Sequence, residues 1–480
     1  MTSESIDKTG LIRGLGLLAA ISIIVGNVIG TGVFLKARVM TCNVGSPTWV
    51  IIVWIAAGLL SLAGALTYSE LAAMKPKAGG EYVFLRDAYG RVWSFLYGWM
   101  QIFISKTGSQ AAVAVAFAIF ANDLFGEKLK QSILKTEIFG YGYELTTLQL
   151  VAVLMIVIFT ILNCASVSFG GALATVFTVV KISLVLLIGF GAFFLADGTF
   201  AGLGGVNDGG ACEGVANTVK YGAAGFTFAG GFAAAMLGAL WGYDGWNNIT
   251  LVAGEVKNPQ RNIPIALISG IVLIMLLYVF IHFAYFFVLS PTEIASVSKA
   301  TSVAQVVAVK FLGAGALSLM AAGLMASSIG TLHTSILTGA RVPYAMAQDG
   351  LMFKGLGRLS EGSRVPIGAL IVQGIWASLL ALSGSFDTLT DYVIFGSWIF
   401  YALTTASIFV FRIKYPDAER PYKAFGYPVV PVLFILVAGW LLISTVLSNP
   451  TNSLVGLFLI LLGLPVYYYL TYYYKSGDNI

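Results

Sequence analysis

Stretches of about 20 mainly apolar residues, each long enough to cross a bilayer as a helix, recur along the whole of this 480-residue chain. Twelve such segments, numbered one to twelve in chain order, are predicted at 14–39, 48–74, 92–121, 147–165, 173–196, 229–256, 263–289, 312–339, 366–383, 392–413, 428–447 and 454–474. Hydrocarbon offers no partner to a backbone N–H or C=O, so such segments must bond internally as helices. Only 10% of residues are charged, against roughly 25% in soluble domains. The chain is therefore read as an all-α integral membrane protein. The first segment is too long for a signal-peptide core and has no small-residue cleavage site, so it is expected to stay in the mature protein.

Basic residues near segment ends give the orientation. With the N-terminus in the cytoplasm, seventeen Lys and Arg fall inside and eight outside. Both termini are thus expected in the cytoplasm of a multi-pass plasma-membrane protein, with the lipid bilayer as its partner. The net charge of +5 is a topology signal in this setting and gives no reason to expect nucleic acid binding. The three cysteines, Cys42, Cys164 and Cys212, show no C-x-x-C spacing, and His282 and His333 stand apart. No metal site or cofactor is expected. Cys42 and Cys212 both fall on the outer side, where a disulfide between them is an expectation.

Within segment one, Val25-Gly26-Asn27-Val28-Ile29-Gly30-Thr31-Gly32-Val33 packs three glycines and two small polar residues into nine positions. That lowers helix propensity where the apolar neighbours would otherwise sustain a helix. A break at membrane depth is tolerated only where it lines a protein-enclosed cavity, although small-x-x-x-small spacing also serves close helix packing. Segment six carries a matching interruption, Gly238-Ala239-Leu240-Trp241-Gly242-Tyr243-Asp244-Gly245-Trp246. An odd number of crossings separates the two, so they traverse the membrane in opposite directions. Paired interrupted helices in two halves of opposite topology point to an inverted-repeat transporter with a midplane site. The expected organisation is a tail at 1–13, a first repeat at 14–196, an outer loop at 197–228, a second repeat at 229–413 and a remainder at 414–480.

The first break offers amides of Gly30, Thr31 and Gly32 at the start of a half-helix, where a carboxylate is the natural guest. The second offers carbonyls of Trp241, Gly242 and Asp244, which suit an ammonium. Together they fit an α-amino acid. Trp241 could close over it as a lid or simply pack. Asp244 could hold a cationic substrate, take part in proton movement or hydrogen-bond within its own turn. Lys181 lies inside segment five, too deep to snorkel, and must be paired or bonded to carbonyls. It reads as a fixed cation bridging helices or as a proton acceptor. Lys106, inside segment three, has no assigned role. Glu70 and Glu255 end segments two and six on the cytoplasmic side, as an inner gate or as loop-ordering ion pairs, which when exposed are worth about 0–1 kcal/mol.

The runs Val25 to Phe34, Glu70 to Tyr89, Trp241 to Asn248 and Glu255 to Pro264 resemble the amino acid-polyamine-organocation superfamily, and within it the L-type amino acid transporters, including prokaryotic members. The resemblance implies a twelve-helix, five-plus-five inverted repeat with broken helices one and six and alternating access. It puts the substrate carboxylate on Gly30, Thr31 and Gly32, and the amino group on Val28 or Ile29 and on Trp241, Gly242 and Asp244. Trp241 falls at an aromatic gate. Lys181 falls on a lysine that replaces a sodium ion and contacts the helix-one backbone, at Gly26, and helix eight, at Ser327 or Ser328. Animal members couple to a heavy chain through a cysteine in the loop after helix three. Residues 122–146 contain none, so no covalent heavy-chain partner is expected. Asp244 stands where many members have a small neutral residue.

The resulting expectation is sodium-independent exchange of neutral L-amino acids. Proton-coupled symport with Lys181 titrating, or cationic transport using Asp244, are the alternatives. An ion channel lacks its ring-forming charges. An enzyme lacks a nucleophile with a base, so none is expected and no catalytic residue is assigned.

Overall fold

The computed structural model describes residues 10–126, 128–138, 141–215, 218, 228–298, 301–383, 386–448 and 450–476. Residues 1–9 with Lys8, and Lys220 and Lys299, which entered the topology count, lie outside the described residues.

Eight described helices are long and apolar enough to cross a membrane, or nine if segment one, Leu17–Val28 and Gly32–Val44 bent by 41°, is one span. The other eight are Pro47–Met74, Arg91–Leu124, Val167–Leu195, Pro259–Val288, Ala316–Gln348, Phe395–Lys414, Val429–Leu447 and Ser453–Tyr472. Segments four and nine, read as spans from composition, are 17-residue helices, Thr147–Asn163 and Ile367–Ser383. Segment six departs most from expectation. Its α-helix, Phe228–Tyr243, gives way to turns, and the chain resumes as a 3-10 helix at Asn248–Glu255 instead of a second α-helical half.

Local chemistry sets the starts. The Ser46 hydroxyl accepts from the Trp49 amide ahead of Pro47, and Ser166 accepts from Phe169. These are side-chain caps on amides that a helix cannot satisfy itself. Segment three contains a wide π-helical turn, Gln101–Ser105, before continuing as Lys106–Leu124. The loop after it is not wholly irregular, since Ser132–Ile138 and Tyr141–Thr146 pair as an antiparallel hairpin.

The segments pack in a regular way. The second half of segment one, Gly32–Val44, lies along the start of six, two along seven, three along eight and four along nine. Segments eleven and twelve present Leu436, Leu447 and Phe458 outward, an apolar surface suited to lipid. Cys42 and Cys212 are disulfide-bonded, tying the end of segment one to the loop beyond segment five, while Cys164 is a free thiol.

The acids that end segments two and six, Glu70 and Glu255, differ from the exposed-pair reading. Glu255 receives two bonds from Arg341, at 3.0 and 2.7 Å, and both side chains are buried at 1% and 0% exposure. Glu70, also buried, receives two bonds from Arg412 at 3.1 and 2.7 Å and one from the Ala424 amide at 2.7 Å.

Candidate functional site

Segment one stops because its backbone turns at Val28. The Gly30 amide donates to the Val28 carbonyl at 2.8 Å, and the second half-helix opens at Gly32 with Thr31 as its cap residue. The Gly30 amide is thereby spent within the turn. This removes it from the expected carboxylate set, while the amides of Thr31 and Gly32 have no acceptor among the described residues. Those two amides sit at the positive end of the half-helix dipole.

The carbonyl freed at Gly26 accepts from the Lys181 ammonium at 2.6 Å and from the Thr331 hydroxyl at 3.2 Å. Lys181, fully buried, also donates to Thr331 at 2.6 Å. Room for its chain comes from Gly330, where a Cβ would lie 2.8 Å from Lys181 Cε. The segment-eight partner is therefore Thr331, not Ser327 or Ser328. Ser327 shares the face of Thr331 one turn earlier and bonds the Ile29 carbonyl at 3.3 Å. Ser328 is rotated away and bonds Leu324 in its own helix at 2.9 Å.

The two breaks meet. A Cβ on Gly32 would stand 2.8 Å from Gly242 Cα and 3.4 Å from the Trp241 ring, and one on Gly242 would stand 2.7 Å from the Trp54 ring. Only glycine at both positions permits this approach. Trp241 is buried at 8% exposure. The Tyr278 hydroxyl spans the junction, 2.9 Å from the Val28 carbonyl and 2.8 Å from that of Gly242. Its single proton is shared between these two carbonyls, and the Val28 carbonyl also accepts from the Gly30 amide. The Ile29 carbonyl likewise accepts from Ser327 at 3.3 Å and lies 3.5 Å from the Thr331 hydroxyl, so both segment-one carbonyls of the expected ammonium set already meet hydroxyls.

Beyond Gly242 the chain turns at Gly245, with φ of 93°, and Asp244 is half-buried while its neighbours are buried. Its carboxylate accepts from Tyr401 of segment ten at 2.8 Å. The same hydroxyl lies 3.3 Å from Asn247 Oδ1, and Asn247 donates to Glu81 at 2.8 Å. Glu81, at the start of the helix Glu81–Tyr89, also accepts from Tyr97 at 2.5 Å and Tyr68 at 2.9 Å. Lys106 donates to Asn248 and interacts electrostatically with Asp244 and Glu81. Asp244 is thus one end of a buried polar network, a setting the sequence did not disclose.

Among the described residues no group of His, Cys, Asp and Glu could hold a metal ion. His282 bonds the Tyr278 carbonyl at 2.7 Å, and His333 lies between Asn163 at 3.0 Å and the Gly170 carbonyl at 2.8 Å. Thr331, Tyr278 and Tyr401, which organise both breaks, escaped sequence reading because a hydroxyl in an apolar helix gives no hint of the backbone it meets. What remains is a junction with two amides that have no acceptor among the described residues on one side and carbonyls at the end of the segment-six helix on the other.

The family described as amino acid permease matches residues 15–468. The b(0,+)-type amino acid transporter 1 of Mus musculus is 31% identical over 476 residues, covering 99% of this chain and 91% of the relative. The serine/threonine exchanger SteT of Bacillus subtilis is 29% identical over 466 residues, covering 96% and 98%. The large neutral amino acids transporter small subunit 2 of Mus musculus is 31% identical over 457 residues, covering 95% and 80%.

Proposed function

The chain belongs to the amino acid permease family of the amino acid-polyamine-organocation superfamily, and on that premise we propose that it exchanges neutral L-amino acids across the plasma membrane without sodium. It is a transporter and not an enzyme. The reading places 14–196 and 229–413 as inverted five-helix repeats, 414–480 as two further helices, and both termini in the cytoplasm. Packing of segments one on six, two on seven, three on eight and four on nine supports it, because a two-fold axis between repeats pairs each segment with the one five later. The relatives' names support exchange and neutral cargo.

One observation carries the site assignment, the contact of the breaks at Gly32 and Gly242. The substrate carboxylate binds the amides of Thr31 and Gly32, and its ammonium binds carbonyls from Val28 or Ile29 and from Trp241, Gly242 and Asp244. Trp241 covers the junction as the gate. Sodium is dispensable because the Lys181 ammonium already lies between the Gly26 carbonyl and the Thr331 hydroxyl, the kind of oxygen pair a hard cation would need.

In proteoliposomes, labelled L-serine or L-leucine should enter only vesicles preloaded with amino acid, equally in sodium and choline buffer. Uptake into empty vesicles under an imposed pH gradient would replace exchange by proton symport, with Lys181 as the titrating group. A second reading, admission of cationic amino acids, is favoured by the partial exposure of Asp244. Competition by L-arginine as strong as that by neutral amino acids would establish it. With no cysteine in 122–146, transport should not need a covalent heavy-chain partner.

A further inference from the structure

We propose that Lys106 is a second fixed cation, a positioning residue that holds the segment-six break as Lys181 holds the segment-one break. The inference rests on the site lying between the two breaks. Lys106 is deep in segment three with 8% of its surface exposed, a costly place for a charge unless it is paired. It comes directly after the π-helical turn Gln101–Ser105, closed by the Thr107 hydroxyl on the Ile102 carbonyl at 2.7 Å. Such a wide turn rotates the residues beyond it relative to an unbroken helix, and turns of this kind cluster where side-chain direction matters. The Lys106 ammonium donates to Asn248, the first residue of the 3-10 stretch, and the Asn248 amide group lies 3.0 Å from where a Gly245 Cβ would be. The bond therefore ties segment three to the unwound turn itself.

The two breaks are held by matching parts with roles exchanged. At segment one the lysine comes from segment five and the hydroxyl, Thr331, from segment eight. At segment six the lysine comes from segment three and the hydroxyl, Tyr401, from segment ten. Three and eight, and five and ten, are the equivalent segments of a five-plus-five repeat.

The surroundings of the two lysines differ in one respect. Among the described residues Lys181 bonds a carbonyl and a hydroxyl, whereas Lys106 interacts with two acids, Asp244 from the break and Glu81 from the helix after segment two. The other titratable groups around this pair are Tyr401 of segment ten, Tyr68 of segment two and Tyr97 of segment three, all hydrogen-bonded to one or other carboxylate. Burial raises the Glu81 carboxyl above its usual range, while bonds from Tyr97 and Tyr68, the charge of Lys106 and a bond from Asn247 draw it down. Without Lys106, proton uptake at Glu81 moves to higher pH. The network then keeps its native arrangement only when a proton replaces the missing cation, so a variant lacking the lysine depends on pH more steeply than the native protein.

Exchange of labelled L-serine and L-leucine into preloaded proteoliposomes should be measured from pH 5.5 to 8 for the native protein, Lys106→Met, Lys106→Arg and Asn248→Ala. Thermal unfolding of the same proteins in detergent should be recorded across that range. Lys106→Met is expected to raise KM about tenfold at pH 7.5 and to recover in part at pH 5.5, with an unfolding temperature that falls with pH more steeply than that of the native protein. Lys106→Arg should stay within about threefold of native, and Asn248→Ala should raise KM without altering the pH profile. A Lys106→Met protein with native KM and native pH profile would overturn the proposal, as would equal losses in Lys106→Met and Lys106→Arg at every pH. Should Lys106→Met fail to fold, a native KM in Asn248→Ala overturns it and a raised KM with an unchanged pH profile supports it. If the native protein exchanges no amino acid, the functional reading fails, and the pH dependence of unfolding still decides the role of Lys106.

Discussion

The Lys181 ammonium lies 2.6 Å from the carbonyl of Gly26, on the last unbroken turn before segment one unwinds. A buried ammonium that bonds one carbonyl and one hydroxyl is at once a charge and a brace. Replacing Lys181 with Met should slow exchange at least about tenfold while leaving the protein monodisperse by size exclusion. The native rate should be the same in sodium and in choline. A strict sodium requirement, or a Lys181→Met protein with native exchange, would remove the lysine from the site.

Gly32 and Gly242 leave no space for a side chain. A Cβ on Gly32 meets Gly242 Cα at 2.8 Å, a backbone atom that cannot swing away, so the two breaks would have to part. Gly32→Ala should therefore cost most of the exchange activity. Gly238→Ala is the control, since its Cβ finds nothing closer than Met40 Cγ at 3.7 Å and should be tolerated. Equal activity in the two variants would show that the contact of the breaks is not needed for transport.

The breaks were legible in the sequence because glycine marks them chemically, and the buried lysines because a charge amid apolar residues has few explanations. Which side chain receives a lysine was not legible. Ser327, Ser328 and Thr331 lie within one helical turn of each other, each residue rotates the face by about 100°, and only the packed orientation selects Thr331. The 3-10 course of Asn248–Glu255 was hidden for a related reason. Its Ile, Leu and Val read as a continuing helix, while in the turn before it the Asp244 carboxylate accepts from Tyr401 and the Asn247 side chain donates to Glu81, both remote in sequence. The hairpin at 132–146 lies between apolar segments, and the absence of cysteine from that loop says nothing about strand pairing.

Cys42 and Cys212 close a loop with a sequence separation of 170 residues, and the link is reinforced where Arg38 donates to the Glu213 carbonyl at 3.2 Å and the Asn207 amide to the Gly45 carbonyl at 2.7 Å. A crosslink of this kind is worth about 2–4 kcal/mol. Non-reducing digestion and mass spectrometry should recover the joined peptides, and only Cys164 should label with a thiol reagent under denaturing conditions before reduction. Reduction or Cys42→Ser should lower the unfolding temperature. Three labelled cysteines before reduction would refute the bond.

Glu255 and Arg341 form the most completely buried ion pair among the described residues, and the same acid's carbonyl accepts from the Leu15 amide at 2.9 Å where segment one begins. Removing one partner strands the other charge out of water, a loss of about 3–5 kcal/mol, whereas removing both together can be far less costly. Glu255→Gln and Arg341→Met should each lower the unfolding temperature of the purified protein. The double variant should lose much less than the sum of the two, a coupling that a double-mutant cycle reads directly. If the single losses are small and simply add, the pair does not hold the ends of segments six and eight together.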